Sequence, residues 1–211
     1  MRLRRILPTF GKAAVPWLLE GLLIVFSVVL GFWVSQLQGA RADRELGVRV
    51  LASVHEEVEH NVALLQPYIR MHRTWTEALA KAPSESGPQA AFDVFIAVRP
   101  PLPAGAATPF PSLRRSAWDA ALSGGAIRFL DHDVAAALSD IYRRQQIVDD
   151  NIARLATGAL GATATFDPAS RTPSVRLLWL TVADITSAEE VLAAGYGRHL
   201  PGVRAAVERG R

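Results

Sequence analysis

Hydrophobic residues in this chain follow two different rhythms. Over residues 17–38, WLLEGLLIVFSVVLGFWVSQLQ, they fill most of the helical circumference, and the stretch Leu22–Val34 carries no charge. A run of this length crosses a bilayer as a single helix. Its few polar positions are confined to one side. At about 100° per residue, Glu20, Ser27, Gly31 and Gln38 fall within about 20° of one direction, with Ser35 at roughly 60°. Ser27-x3-Gly31-x3-Ser35 is a small-xxx-small pattern, which lets two helix backbones approach closely. An acid on the same face is less costly inside a protein contact than in lipid. Glu20, Ser27, Gly31 and Ser35 are therefore the candidate residues for membrane-helix association. A plainer account also exists: Glu20 lies one turn inside Pro16-Trp17 and can snorkel to the headgroups, and single Ser and Gly residues are common in membrane helices.

Beyond the apolar run the rhythm narrows to a stripe. Leu51, Val54, Val58, Asn61 and Leu65 keep helical spacing, and Tyr68, His72, Trp75 and Leu79 continue it. Arg44, Glu45, Arg49, Glu56, Glu57 and Glu59 mark a solvated outer face. Pro67 falls inside the run and predicts a kink or a restart, so residues 39–82 read as a long membrane-proximal helix kinked near Pro67. Residues 83–111 hold seven of the thirteen prolines and form a Pro/Ala-rich connector with one short apolar helix at Gln89–Val98. Its Pro100-Pro101-x-Pro103 piece is read as surface linker rather than as a polyproline ligand.

Residues 112–211 supply the remaining helices. Ser112 is placed to cap a helix over Leu113–Ser123, stopped by Gly124-Gly125. Asp131 precedes the strongest stripe, Val134, Leu138, Ile141, Gln145, Val148, Ile152 and Leu155, which closes near Thr157-Gly158. A loop through Asp167-Pro168 and Pro173 leads to an apolar helix over Ser174–Ile185. Ser187-x-x-Glu190 then reads as the capping box of a last helix, kinked at Pro201-Gly202. Nothing alternates with period two, so no sheet is expected. Amphipathic helices can bury their stripes only against one another. The expected fold is all-α, one N-terminal transmembrane helix continuing into an antiparallel helical bundle.

Charge changes the picture in one respect. The whole chain has a sequence pI near 9.8, which would suit nucleic acid. Residues 1–42, however, hold Arg2, Arg4, Arg5, Lys12 and Arg41 against the single acid Glu20, which leaves 18 basic and 19 acidic residues in 43–211. The basic character belongs to the arm beside the span, and no nucleic-acid partner is expected. The lipid bilayer is the expected partner instead. The absence of cysteine excludes disulfides and thiolate metal sites and fits a bacterial envelope protein.

The same charges set topology. Arg2, Arg4, Arg5 and Lys12 precede the span, and Arg41, Arg44 and Arg49 follow it. Residues 1–16 thus read as a short basic cytoplasmic arm, residues 17–38 as the transmembrane helix, and the rest as a periplasmic domain on the bacterial inner membrane. Trp17 and Trp33 suit the interfacial belts. A cleavable signal peptide with Ala40-Arg41-Ala42 as its site is the rival. Against it stand the length of the apolar run, the bulky Phe32-Trp33 pair and the early Glu20.

Candidate chemistry is sparse. Glu57-x-x-His60, inside His55-Glu56-Glu57-Val58-Glu59-His60, has the spacing of a carboxylate-bridged di-metal site, but the second Glu-x-x-His such a site needs is missing. HExxH is also absent, and the cluster reads as a solvated acidic face. Asn61 on the apolar stripe reads as a hydrogen-bonded structural residue rather than a ligand site. Arg114-Arg115 and Tyr142-Arg143-Arg144 suit either a small anion or exposed helix surface, the latter being simpler. Trp118 and Trp179 read as core anchors. No catalytic, cofactor-binding or metal residue is assigned, and no enzyme activity is expected.

These residues, once placed, resemble an uncharacterised bacterial family of small single-span membrane proteins with a helical extracytoplasmic domain. The likeness lies in Leu19-Glu20 and the apolar run to Gly31-Phe32-Trp33-Val34, in Leu51 through Glu56-Glu57 to Asn61-x-x-Leu64, and in Trp118-Asp119-Ala120-Ala121-Leu122-Ser123-Gly124 with Leu130, Leu138-Ser139 and Ile141-Tyr142. Ser27 stands where such spans more often have Gly, which leaves close packing possible. The resemblance implies topology and fold, and it brings no catalytic residue. The function expected is that of a membrane-anchored structural or interaction protein, associating with itself or with another membrane protein. The alternative is a ligand-sensing extracytoplasmic bundle that signals through a partner subunit, which a buried polar pocket between Asn61 and Gln145 would favour.

Overall fold

A computed structural model describes residues 11–82, 88–159 and 174–210. The residues Arg2, Arg4 and Arg5 of the basic arm, the first part of the connector (83–87) and the loop through Asp167-Pro168 and Pro173 lie outside the described residues. The order of elements is α1 (Gly11–Lys81), α2 (Pro88–Ala97), α3 (Ser116–Ser123), a 3₁₀ turn (Ala126–Phe129), α4 (His132–Arg154) ending in a π turn (Leu155–Ala159), and α5 (Ser174–Gly210). The chain is all-helical, with no strand among the described residues. It divides into two units, Met1–Leu46 and Gly47–Arg211.

In the first unit α1 is long and apolar enough to cross a membrane, and its most apolar window is entirely unburied. Trp17, Phe26 and Trp33 are all exposed. No described residue of the unit covers them.

The second unit is built on apolar stripes of α1, α4 and α5. Leu51, Val54, Val58 and Leu65 of α1 meet Leu138, Ile141 and Val148 of α4 and Leu192, Tyr196 and Val203 of α5. A second cluster joins Trp75 and Leu79 of α1, Phe95 of α2, Leu155, and Leu178, Val182 and Ile185 of α5. Ile152 packs against both clusters, so the apolar interior is continuous from one to the other. Each fully buried Leu or Ile contributes about 2 kcal/mol of transfer free energy. Close approach needs a glycine at Gly47, where a Cβ would lie 2.9 Å from the Phe129 carbonyl oxygen. Gly125 adopts φ +65, the left-handed turn that separates α3 from the 3₁₀ turn.

Several expectations need correction. Of the kink or restart expected at Pro67, the restart does not occur, since α1 is continuous over 71 residues. The carbonyl that Pro67 cannot bond belongs to Ala63, which is exposed, so water can satisfy it. Likewise Ser187-x-x-Glu190 caps nothing. The buried positions Leu178, Val182, Ile185, Glu189, Leu192 and Tyr196 run on without a break inside the single helix α5. The helix expected at Leu113 starts at Ser116, and its N-terminal flank Arg115 makes no side-chain cap bond. Asp131 does flank α4, also without a side-chain cap bond. Pro100 to Pro103 are exposed or half-buried, while at the end of the connector Pro111 is buried and the Phe110 ring lies 5.4 Å from that of His72.

Candidate functional site

Two groups of residues stand out, one in each unit. In the first unit Glu20, Ser27, Gly31 and Ser35 are all exposed. The Ser27 hydroxyl donates to the Leu23 carbonyl of its own helix at 2.8 Å. A Cβ at Gly31 would meet nothing within 4 Å. The stripe is thus an exposed helix face with room at Gly31 among the described residues.

In the second unit the buried face of α1 holds main-chain atoms of the segment between α2 and α3. Glu57 accepts hydrogen bonds from the Ala117 amide (2.8 Å), the Trp118 amide (3.3 Å), the Ser116 hydroxyl (3.1 Å) and the Tyr142 hydroxyl (2.6 Å). It therefore caps α3 from another helix, satisfying amides that the helix start leaves unpaired. Glu57 is 6 % exposed, which overturns its expected place on the solvated face. His60, by contrast, is exposed, so the Glu57–His60 pair does not converge. Tyr142 stacks on Trp118 with ring centres 4.9 Å apart and planes 4° from parallel. Burial, then the Glu57 hydrogen bond, pushes the Tyr142 hydroxyl well above the usual phenol range.

One turn on, Asn61 grips Arg114 by both main-chain groups. Its Nδ2 donates to the Arg114 carbonyl at 2.7 Å, and its Oδ1 accepts from the Arg114 amide at 2.8 Å. Gln145 donates to the same carbonyl at 3.0 Å and accepts from Asn61 at 3.3 Å. The layer between Asn61 and Gln145 is filled by this backbone. Further along, the Tyr68 hydroxyl donates to the Thr108 carbonyl at 3.2 Å.

His72 completes the series. Its Nε2 lies 2.8 Å from the Pro109 carbonyl oxygen, and its Nδ1 lies 2.8 Å from Glu189 Oε2. Both side chains have 0 % exposure. Burial holds the Glu189 carboxyl above the ordinary range, against the lowering effect of the His72 hydrogen bond. Sequence reasoning placed His72 on the apolar stripe and missed Glu189. The signal was present: Glu189 occupies the stripe between Ile185 and Leu192, and a carboxyl there requires a partner.

Of the arginines considered for anion binding, Arg115, Arg143 and Arg144 are engaged within the chain. Arg115 makes a two-pronged contact with Asp119 at 2.9 and 3.1 Å. Arg144 and Arg143 each reach Asp140 at 2.7 Å and hold its carboxyl well below the usual range. Trp118 is buried, whereas Trp179 is partly exposed beneath Arg176. Among the described residues no three His, Asp or Glu side chains cluster as metal ligands. A groove of about 430 Å³ runs between α1 and α5, floored by Val62, Ala193, Gly197 and Leu200 and edged by Gln66 and Arg204.

Compared with protein-family models, with curated proteins and with solved structures, the chain matches none.

Proposed function

We propose that this is a single-span protein of the bacterial inner membrane, with its N-terminus in the cytoplasm and an antiparallel helical bundle in the periplasm. Its role is structural or interactive rather than enzymatic: the span associates with a second copy or with another membrane protein, and the bundle is presented outside the cytoplasm. It belongs with the single-span bacterial family that its sequence resembles. The observation that carries this reading is the unburied apolar stretch 20–38 with Glu20, Ser27, Gly31 and Ser35 on one face. Hydrocarbon is the environment that stabilises such a surface. Further support comes from the buried polar groups of the second unit. Glu57, Asn61 and Gln145 are engaged in holding the chain together, as a scaffold requires. The ligand-sensing alternative needs a polar hole between Asn61 and Gln145, where the Arg114 backbone sits.

The test is a mild-detergent pull-down of the full chain beside one whose span is replaced by a plain poly-leucine helix. Partners or second copies recovered with the native span and lost with the replacement support the proposal. Identical recovery from both, or release of the intact chain from membranes by alkaline carbonate, overturns it.

A further inference from the structure

The His72–Glu189 pair has a protonation state that its surroundings dictate. Nε2 of His72 faces the Pro109 carbonyl at 2.8 Å. A carbonyl oxygen only accepts, so Nε2 carries a hydrogen. The other nitrogen, 2.8 Å from Glu189 Oε2, must then share one proton with that oxygen. The pair is either imidazolium facing carboxylate or imidazole facing carboxylic acid, and it is neutral in both forms. Removal of the shared proton leaves a nitrogen lone pair against a carboxylate, with a net negative charge buried at a site of 0 % exposure. Among the described residues the second carboxyl oxygen, Oε1, has no partner to compensate it. An uncompensated buried charge of this kind is strongly destabilising.

No described neighbour supplies a replacement. From α1 the ionisable neighbours are Tyr68, whose hydroxyl is donated to the Thr108 carbonyl, and Arg73. From α5 it is Glu190, which pairs with Arg73 at 2.6 Å and whose charge further disfavours an ionised Glu189. Residues 108–110, which cover the pair, carry no ionisable side chain. The rings against His72 are those of Tyr68, Trp75 and Phe110.

We infer that His72 and Glu189 form an alkali-sensitive latch, which joins α1 to α5 beneath residues 108–110 while it holds one proton and opens when that proton leaves. In an unfolded chain glutamate and histidine lose their protons near about pH 4.3 and about pH 6.5. Above roughly pH 6.5 the closed pair therefore holds one proton more than an opened chain does, and the closed form loses stability as pH rises. One proton of difference changes the opening equilibrium by up to about tenfold per pH unit. The latch does not depend on the membrane assignment.

Hydrogen–deuterium exchange of the full chain in mild detergent, from about pH 6.5 to about pH 8.5, reads this opening. In the wild type, protection of peptides covering residues 185–196, corrected for intrinsic rate, falls by up to about tenfold per pH unit relative to peptides of α4. Glu189→Gln keeps the shape and donates its amide hydrogen to Nδ1 without titrating, so its protection stays flat. Equal slopes in the two proteins, or a flat wild type, overturn the latch. Should Glu189→Gln not fold, ¹⁵N spectra of the histidine rings in the wild type decide the matter. His72 then shows a protonated Nε2 at about pH 6.5, where the latch is closed, whereas a ring protonated on Nδ1 alone there overturns the proposal.

Discussion

Residues 17–38 and residues 51–79 belong to one helix and treat polar side chains in opposite ways. In the first stretch every described side chain is exposed, and the one hydroxyl bond, from Ser27, stays within the helix. In the second, Glu57, Asn61 and His72 lie on the buried side, and their partners are 37 to 117 residues away in sequence. A helix therefore carries two kinds of polar stripe. One is an exposed face with no partner among the described residues; the other is a set of hooks for the chain itself. Helical periodicity is the same for both. They are told apart by their surroundings, all-round apolarity in one case and an outer charged face in the other.

The largest effect should come from removing a hook. Glu57→Ala strands two amides and the Tyr142 hydroxyl in the interior, and it is expected to cost about 3 kcal/mol in denaturant unfolding of the full chain in detergent. Glu20→Ala should leave that transition where it is. A cost below about 1 kcal/mol for Glu57→Ala would break the contrast between the two stretches. Next comes Asn61→Leu, which unpairs the Arg114 amide and leaves its carbonyl to Gln145 alone, and which should cost about 2 kcal/mol by the same measurement. Gly31→Ile acts on the bare face. It is expected to weaken span association by about 1 kcal/mol, read as a roughly fivefold loss of crosslinked product, with no shift in unfolding of the second unit. The smallest effect belongs to Arg73→Ala. Its ion pair with Glu190 is open to water, with side chains 59 % and 42 % exposed, so its stability should change by under about 0.5 kcal/mol.

Much of this architecture is legible in the amino-acid order. The stripe Val134, Leu138, Ile141, Gln145, Val148 leads to α4 with ends displaced by very little, because a half-buried helix must repeat its apolar residues at this period. The apolar run of α1 and the all-helical class are equally direct. Local punctuation is where the sequence misleads. Pro67 looks like a breaker, yet its unbonded carbonyl partner is on the wet side of the helix. Ser187 and Glu190 look like a start, yet the apolar phase passes through them and Glu190 is held by Arg73. Ser112 looks like the cap of α3, but the group that caps it is Glu57, some sixty residues upstream in α1. A window of neighbouring residues contains no trace of that bond. What the window does contain is a warning: Glu57, Asn61, His72 and Glu189 are polar residues set at buried phases, and each implies a distant counterpart.

The segment between α2 and α3, together with the first turn of α3, is held by its peptide groups at Thr108, Pro109, Arg114, Ala117 and Trp118. Grip on peptide groups is indifferent to which side chains they bear, so substitutions at the exposed positions here can drift freely. Spacing cannot. One inserted or deleted residue between Thr108 and Trp118 would put every downstream amide out of step with Asn61 and Glu57, making this stretch permissive in letters and rigid in count.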